Sequence, residues 1–259
     1  MNRGAFLAGT GAATLCGAVA PTAGIAATPG DTMTQGDLFA MLPPGRAGQW
    51  TRVILGSGTM YRKQIGLGVE RAPARAPRLY VETQVGVAGG PWNPSSLRKA
   101  YVRGSAFGSL VRAYPTVTNL GFTATAIYRY GEPTAATLSE AATGETMLHL
   151  LDEPWVYDSR PLRIVSAAPE RIESAGAVHD TIHVVASYGA KQSAHERLER
   201  IDLWHSSDFP FGVARYRATL RGLERFELRV TAHGDAFATQ LPVPLDAIPL
   251  VARNVVTAR

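Results

Sequence analysis

His179 and His183 stand four residues apart in VHDTIHVV, a spacing that chelates a metal ion when a helix sets both imidazoles on one face. The surrounding residues alternate instead, with Ile182, Val184, Ala186 and Tyr188 falling on one side, which is the period of a strand. Four residues of strand span about 13 Å, too far for one ion to bridge, so no metal site is expected. Downstream, DLWHSSD brings together Asp202, His205, Ser206 and Asp208, the residue types of a nucleophilic triad. Hydrolases draw those groups from separate elements and set the serine on a strained Gly-x-Ser-x-Gly turn, and that turn is absent. Here they flank a strand end that runs into Phe209-Pro210-Phe211-Gly212, which is the chemistry of a hairpin corner. No catalytic residue is assigned on this basis. A hydrolase using His205 with Asp202 or Asp208 is the competing reading.

Two glycine-rich stretches, Gly56-Ser57-Gly58 and Gly66-Leu67-Gly68, do not open a helix after a buried strand as a phosphate-binding loop must, and no cofactor is expected. Arg215, Arg217, Arg221, Arg225 and Arg229 mark alternating strand faces and read as a solvated or headgroup-facing outer surface. The formal charge of +5 over 259 residues is spread singly rather than in blocks, so nucleic acid is not an expected partner. An apolar content of 46% is ordinary for a globular chain and supplies a sizeable core.

The N-terminus has the pattern of an export signal over residues 1–26: Arg3, an apolar small-residue run from Phe6 to Ala20, then Gly24-Ile25-Ala26 for a signal peptidase. The run is shorter than the roughly 20 residues of a membrane span, so at most peripheral membrane contact is expected. Gly4 stands where a twin-arginine signal carries its second Arg, and Leu15 precedes Cys16 where a lipidation box carries Gly, Ala or Ser. Cys16 is the only cysteine, so after cleavage neither disulfides nor thiol chemistry are available.

Residues 27–36 read as a flexible leader, and GDLFAMLPPG as a short helical turn closed by Pro43-Pro44. Strands follow: a hairpin around Gly56-Ser57-Gly58, a third strand in RLYVETQV after a Pro/Arg loop, and further strands in 120–131, 161–172, 177–189 and 200–234. Leu97, Tyr101, Gly104, Gly108 and Val111 recur at helical spacing, which predicts a helix over 94–113 with Asn93 as N-cap and Pro94 in its first turn. Residues 132–160 fit neither period. The fold expected from the alternation is mainly β, an antiparallel sheet with one apolar face that a helix covers, in one domain over 37–246 with an extended tail over 247–259 along the outside of the sheet.

PPGRAGQWTRV, RLYVETQ, RIDLWHSSDFPFGVARYRA and RFELRVTAHG together resemble the LolA/LppX-like superfamily of periplasmic carriers, matching it at Trp204, Asp208, Pro210, Gly212, Val213 and Gly234. The resemblance implies a strongly curved antiparallel sheet covered by helices, an unclosed β-barrel around an apolar cavity for acyl chains or lipid-modified proteins; residues 132–160 depart from the family pattern. On this reading the chain is an exported, non-catalytic carrier of a lipid or other apolar ligand. Its cavity wall is expected from Trp50, Leu79, Val81, Ile182, Val184, Leu203, Trp204, Phe209, Phe211, Phe226 and Leu228, with His205 at the mouth. Another envelope protein served by an assembly factor is the remaining alternative partner.

Overall fold

The computed structural model describes residues 25–43, 45–71, 77–102, 124–129, 160–189, 198–220 and 223–241. Along the chain run β1 (Thr32–Met33), α1 (Gln35–Ala40), β2 (Trp50–Ser57), β3 (Thr59–Glu70), β4 (Arg78–Val87), β5 (Arg98–Val102), β6 (Ala124–Arg129), β7 (Leu162–Ser174), β8 (Ala177–Tyr188), β9 (Leu198–His205), β10 (Val213–Leu220) and β11 (Leu223–Gly234). All eleven strands join one antiparallel sheet, in the order β1-β7-β8-β9-β10-β11-β2-β3-β4-β5-β6. The sheet is not closed into a barrel, and β1 and β6 form its edges among the described residues. The mainly-β sheet expected from the alternation, in the unclosed form that the resemblance implies, is the one found.

Turn chemistry sets the hairpins. Gly58, at φ +94, returns β2 into β3, and Ala175-Gly176, both at positive φ, turn β7 into β8 in the sense that matches strand twist. The sheet is curled as well as twisted. β7 and β11 are four strands apart, about 19 Å in a flat sheet, yet the Ser174 hydroxyl at the tip of β7 donates to the Val230 carbonyl of β11 over 2.8 Å. Only a sheet bent around its concave face brings those groups together.

That concave face carries the core. Ile164, Val184, Ala186, Ile201, Leu203, Tyr216, Phe226, Leu228, Val53, Ile65, Leu67 and Val81 are buried on successive strands. α1 closes over them. Thr34 caps it, accepting from the Asp37 amide while Asp37 accepts from the Thr34 amide at 2.9 Å, and this capping box holds the Asp37 carboxyl below its usual range. Leu38, Phe39 and Leu42 then face the sheet, Phe39 meeting Tyr216 edge-on at 5.9 Å. Gln35 donates to the Tyr216 hydroxyl and accepts from that of Tyr188, so the helix is also pinned through buried polar groups. Burial pushes the Tyr216 hydroxyl well above the ordinary phenol range.

Three sequence expectations need correction. The segment 27–36 is not a free leader: Ile25 and Ala27 are buried, Thr32–Met33 pairs with β7 and Thr34 caps α1. The predicted helix over 94–113 is a single 3-10 turn at Pro94–Ser96 followed by strand β5, and 103–113 lies outside the described residues. Positions four apart share a face in a strand as well as in a helix, so Leu97 and Tyr101 satisfied both periods. The cover of the sheet is also thinner than expected, one six-residue helix and its flanking loops among the described residues. Residues 1–24, 132–159 and 247–259 lie outside the described residues.

The chain after β11 crosses the outer face of the sheet through 235–241, while the tail expected over 247–259 lies outside the described residues. The Phe237 amide donates to the Gly48 carbonyl at 2.7 Å, and its ring fills the space that Cβ atoms on Gly66 would need. Beyond it Thr239, Gln240 and Leu241 all donate to the buried Glu82 carboxylate, at 2.5, 2.8 and 3.3 Å. Lys99, fully buried, pairs with Glu70 and donates to the Leu241 carbonyl. Tyr80 lies under the Lys99 ammonium at 4.0 Å; its burial, with Glu82 and Glu70 nearby, pushes its hydroxyl up to about 12.

Candidate functional site

A cavity of about 220 Å³ opens between the β7–β8 hairpin and the corner after β9, lined by Pro169, Asp180, Thr181, Ile182, His205, Ser206 and Ser207. Local sequence builds it. Leu198–His205 ends in a turn in which the Ser206 amide donates to the Gly212 carbonyl at 3.2 Å, and Phe209 and Phe211 are folded inward, 2% and 1% exposed. Phe211 takes a φ of +67, a left-handed conformation costly for an aromatic residue, and Gly212 follows at +71. The close seat of Phe211 against Gly45, and of Pro43 against Gly212, holds the strained corner in place.

His205 is 2% exposed, and its Nδ1 lies 2.8 Å from the Gly212 carbonyl. A carbonyl only accepts, so Nδ1 carries the hydrogen and the ring is fixed with Nε2 as its remaining polar atom. The hydrolase constellation is not assembled around it. Asp202 and His205 are an odd number of residues apart on β9 and so project from opposite faces. Asp202 accepts from Arg200 at 2.6 and 2.8 Å and meets His183 Nε2 at 2.9 Å, while Asp208 lies 3.5 Å from His179.

The alternation also divides the expected cavity wall. Ile182 and His205 line the cavity. Val81, Val184, Leu203, Phe209, Phe211, Phe226 and Leu228 lie in the packed core, and Leu79 is partly buried beside it. Trp50 and Trp204 are corrections, because both project from the outer face. Leu203 and His205 point inward, so Trp204 between them cannot; its indole stacks on His183 at 4.1 Å and 10°, with Arg215 and Arg217 over it at 5.1 and 5.4 Å. His183 in turn meets Glu170 at 2.7 Å, giving it two carboxylates and no metal geometry; among the described residues no cluster suits a metal ion.

A second cluster seals the hairpin tip against the corner. His179 packs on Phe209 at 4.5 Å, His233 on the same ring at 4.8 Å, and His179 Nε2 meets the Ser174 carbonyl at 3.1 Å. Burial and the neighbouring His179 lower the His233 pKa, against the pull of Asp235 and Asp208. Sequence reasoning set aside the two β8 histidines as metal ligands without locating these partners. The aromatic Phe209 before Pro210 in the corner is the available signal, but the tie to His233 needs the curl of the sheet.

No protein-family model matches the chain, and no curated protein matches it. Solved structures with similar folds include a candidate lipoprotein of Parabacteroides distasonis, 12% identical with a TM-score of 0.35, covering 74% of this chain and 97% of that one. A candidate exported protein of Bacteroides fragilis with a YmcC-like fold is 10% identical at a TM-score of 0.34, covering 74% and 98%. MucB is 13% identical at 0.32, with 74% of this chain covering 54% of that one. Similarity of this degree fixes neither family nor activity.

Proposed function

We propose that this protein is an exported, non-catalytic binding protein of the LolA/LppX-like kind that holds an apolar chain in the cleft between the β7–β8 hairpin and the β9–β10 corner. The observation that carries this reading is the cleft itself. Pro169 and Ile182 give it apolar walls continuous with the concave face, and His205, Ser206, Ser207, Thr181 and Asp180 supply a few polar groups, the usual composition of a small-molecule site. Its volume of about 220 Å³ falls below the roughly 300–1,000 Å³ of sites that enclose a drug-sized ligand, so it suits a chain end rather than a whole lipid. The curled sheet supports the same reading, since the hairpin that forms one wall runs past its last pairing with β9 at Ile182 and returns to the sheet at its tip, where Ser174 bonds Val230 and His179 packs on Phe209. The export signal expected over 1–26 supports an envelope location.

The test is native mass spectrometry of the mature protein purified from a bacterial periplasm, with organic extraction of whatever travels with it. A stoichiometric acyl-chain species on the folded protein, lost in Ile182→Trp while the circular dichroism spectrum is retained, is the expected result. A clean protein mass that takes up no added fatty acid removes the reading.

A further inference from the structure

On the outer face of β11, β2 and β3, three guanidinium groups surround Ile54. Arg229 is its cross-strand neighbour on β11, Arg62 its neighbour on β3, and Arg52 lies two residues along β2 on the same face. None of the three has a carboxylate partner among the described residues, whereas Arg215 and Arg217 share Glu227 and Arg200 is held by Asp202. Among the described residues the positive charge of this patch is therefore not compensated by an ion pair.

Two indoles hold it in place. The Arg62 guanidinium lies 4.0 Å over Trp92, and that of Arg52 lies 5.2 Å from Trp50 and 6.0 Å from Trp92. Trp92 is delivered by a loop folded back on β4: it bridges Gly86, the Asn93 amide donates to the Val85 carbonyl at 3.1 Å, and the Ser96 hydroxyl accepts from the Val85 amide at 2.9 Å. A Cβ on Gly86 would fall 2.7 Å from the Pro91 carbonyl and 3.2 Å from Arg62 Nε, so only glycine admits this approach. Arg62 Nε is buried without a partner and Arg52 Nε is committed to Gln64 at 2.7 Å, which leaves the terminal nitrogens of both as the donors on offer. A guanidinium flattened on an indole keeps its donor fork in a fixed orientation, the arrangement that suits phosphate oxygens.

We propose that this patch binds the phosphate of an anionic phospholipid headgroup, setting the sheet outer face down on a bilayer surface. Free phosphate offers the same oxygens, but two half-buried tryptophans beside the arginines match the residues that settle at the headgroup level of a membrane. The site is separate from the cleft, which opens elsewhere on the sheet, so either proposal can fail alone.

The experiment is co-sedimentation of the mature protein with phosphatidylglycerol–phosphatidylcholine vesicles and with pure phosphatidylcholine vesicles, at about 0.1 M salt where surface charges act over about 10 Å. Binding to the anionic vesicles alone is expected, weakened about thirtyfold by the double substitution Arg52→Gln, Arg62→Gln and about fivefold by Arg52→Gln by itself. The single variant serves if the double one does not fold, because Arg52 is exposed. A control pair on β7, Arg163→Gln with Arg171→Gln, is expected to weaken binding by less than about threefold. Wild-type affinity in the Arg52 variants, or an equal loss in the control, overturns the site. Calorimetric binding of inorganic phosphate that depends on the same arginines, with no vesicle binding, overturns the headgroup assignment.

Discussion

Gly66→Ala should change the sign of its effect according to whether Phe237 is present. In the folded chain a Cβ at position 66 would fall 2.1–2.3 Å from three carbons of the Phe237 ring, and no other atom is as close. Overpacking of this kind costs about 1–3 kcal/mol, because the ring must leave its seat or the strand must move. Phe237→Ala alone loses a half-buried ring, about half of the 3–5 kcal/mol of a fully buried one, or roughly 2 kcal/mol. With the ring gone, the Cβ has room. Alanine then restricts the unfolded chain more than glycine does, and the substitution should stabilise by about 0.4–1 kcal/mol. The coupling between the two positions is thus about 1.4–4 kcal/mol. Urea denaturation of the four proteins, compared at unchanged m-value, measures it. If Gly66→Ala costs the same in both backgrounds to within about 0.5 kcal/mol, Phe237 is not seated on β3 and the account of the chain after β11 is wrong.

Thr34→Ala removes the capping-box hydroxyl of α1 and should cost about 1 kcal/mol in chemical denaturation, within the roughly 0.5–2 kcal/mol range of such caps; an unchanged midpoint would mean the helix does not depend on its cap. Tyr80 has a folded pKa of about 12, above its unfolded value near 10, so its contribution is complete below pH 10 and is lost as pH rises toward 12. The thermal midpoint of the wild type should therefore fall more steeply over that interval than that of Tyr80→Phe. His233 has a lowered folded pKa, so the unfolded chain takes up protons first and stability drops as pH falls below about 6.5. His233→Gln should flatten the stability profile there, and an unchanged profile would remove the histidine seam as its source.

Much of the sheet was legible because its strands alternate. Trp50–Ser57, Thr59–Glu70 and Arg78–Val87 follow the hairpins marked by their glycines, and Val213–Leu220 with Leu223–Gly234 continue the pattern past the Phe209 corner. β5 was hidden by a spacing common to both periods. The candidate site was less legible for a different reason. Apolarity selects residues that leave water but not the side from which they leave it, so it groups Leu203 and Trp204 in one wall although neighbours on a strand face apart. The buried Glu82–Lys99 grip on 239–241 joins groups over 140 residues apart, and nothing local marks it.

The position of β2 beside β11 has a consequence for how the protein is made. Trp50 pairs with Gly234 and Val53 with Val230, so the seam that unites β2–β6 with β7–β11 forms only when nearly the whole chain is present. Each side is a meander of consecutive antiparallel neighbours that can assemble locally, but until the last strand arrives β2 offers an open hydrogen-bonding edge to any other chain nearby. Material emerging in vectorial order from synthesis passes through that half-sheet state. Slow formation of this late seam, rather than weakness of the finished sheet, is where misassembly would begin, and shielding of the β2 edge during that interval would raise the yield of folded protein.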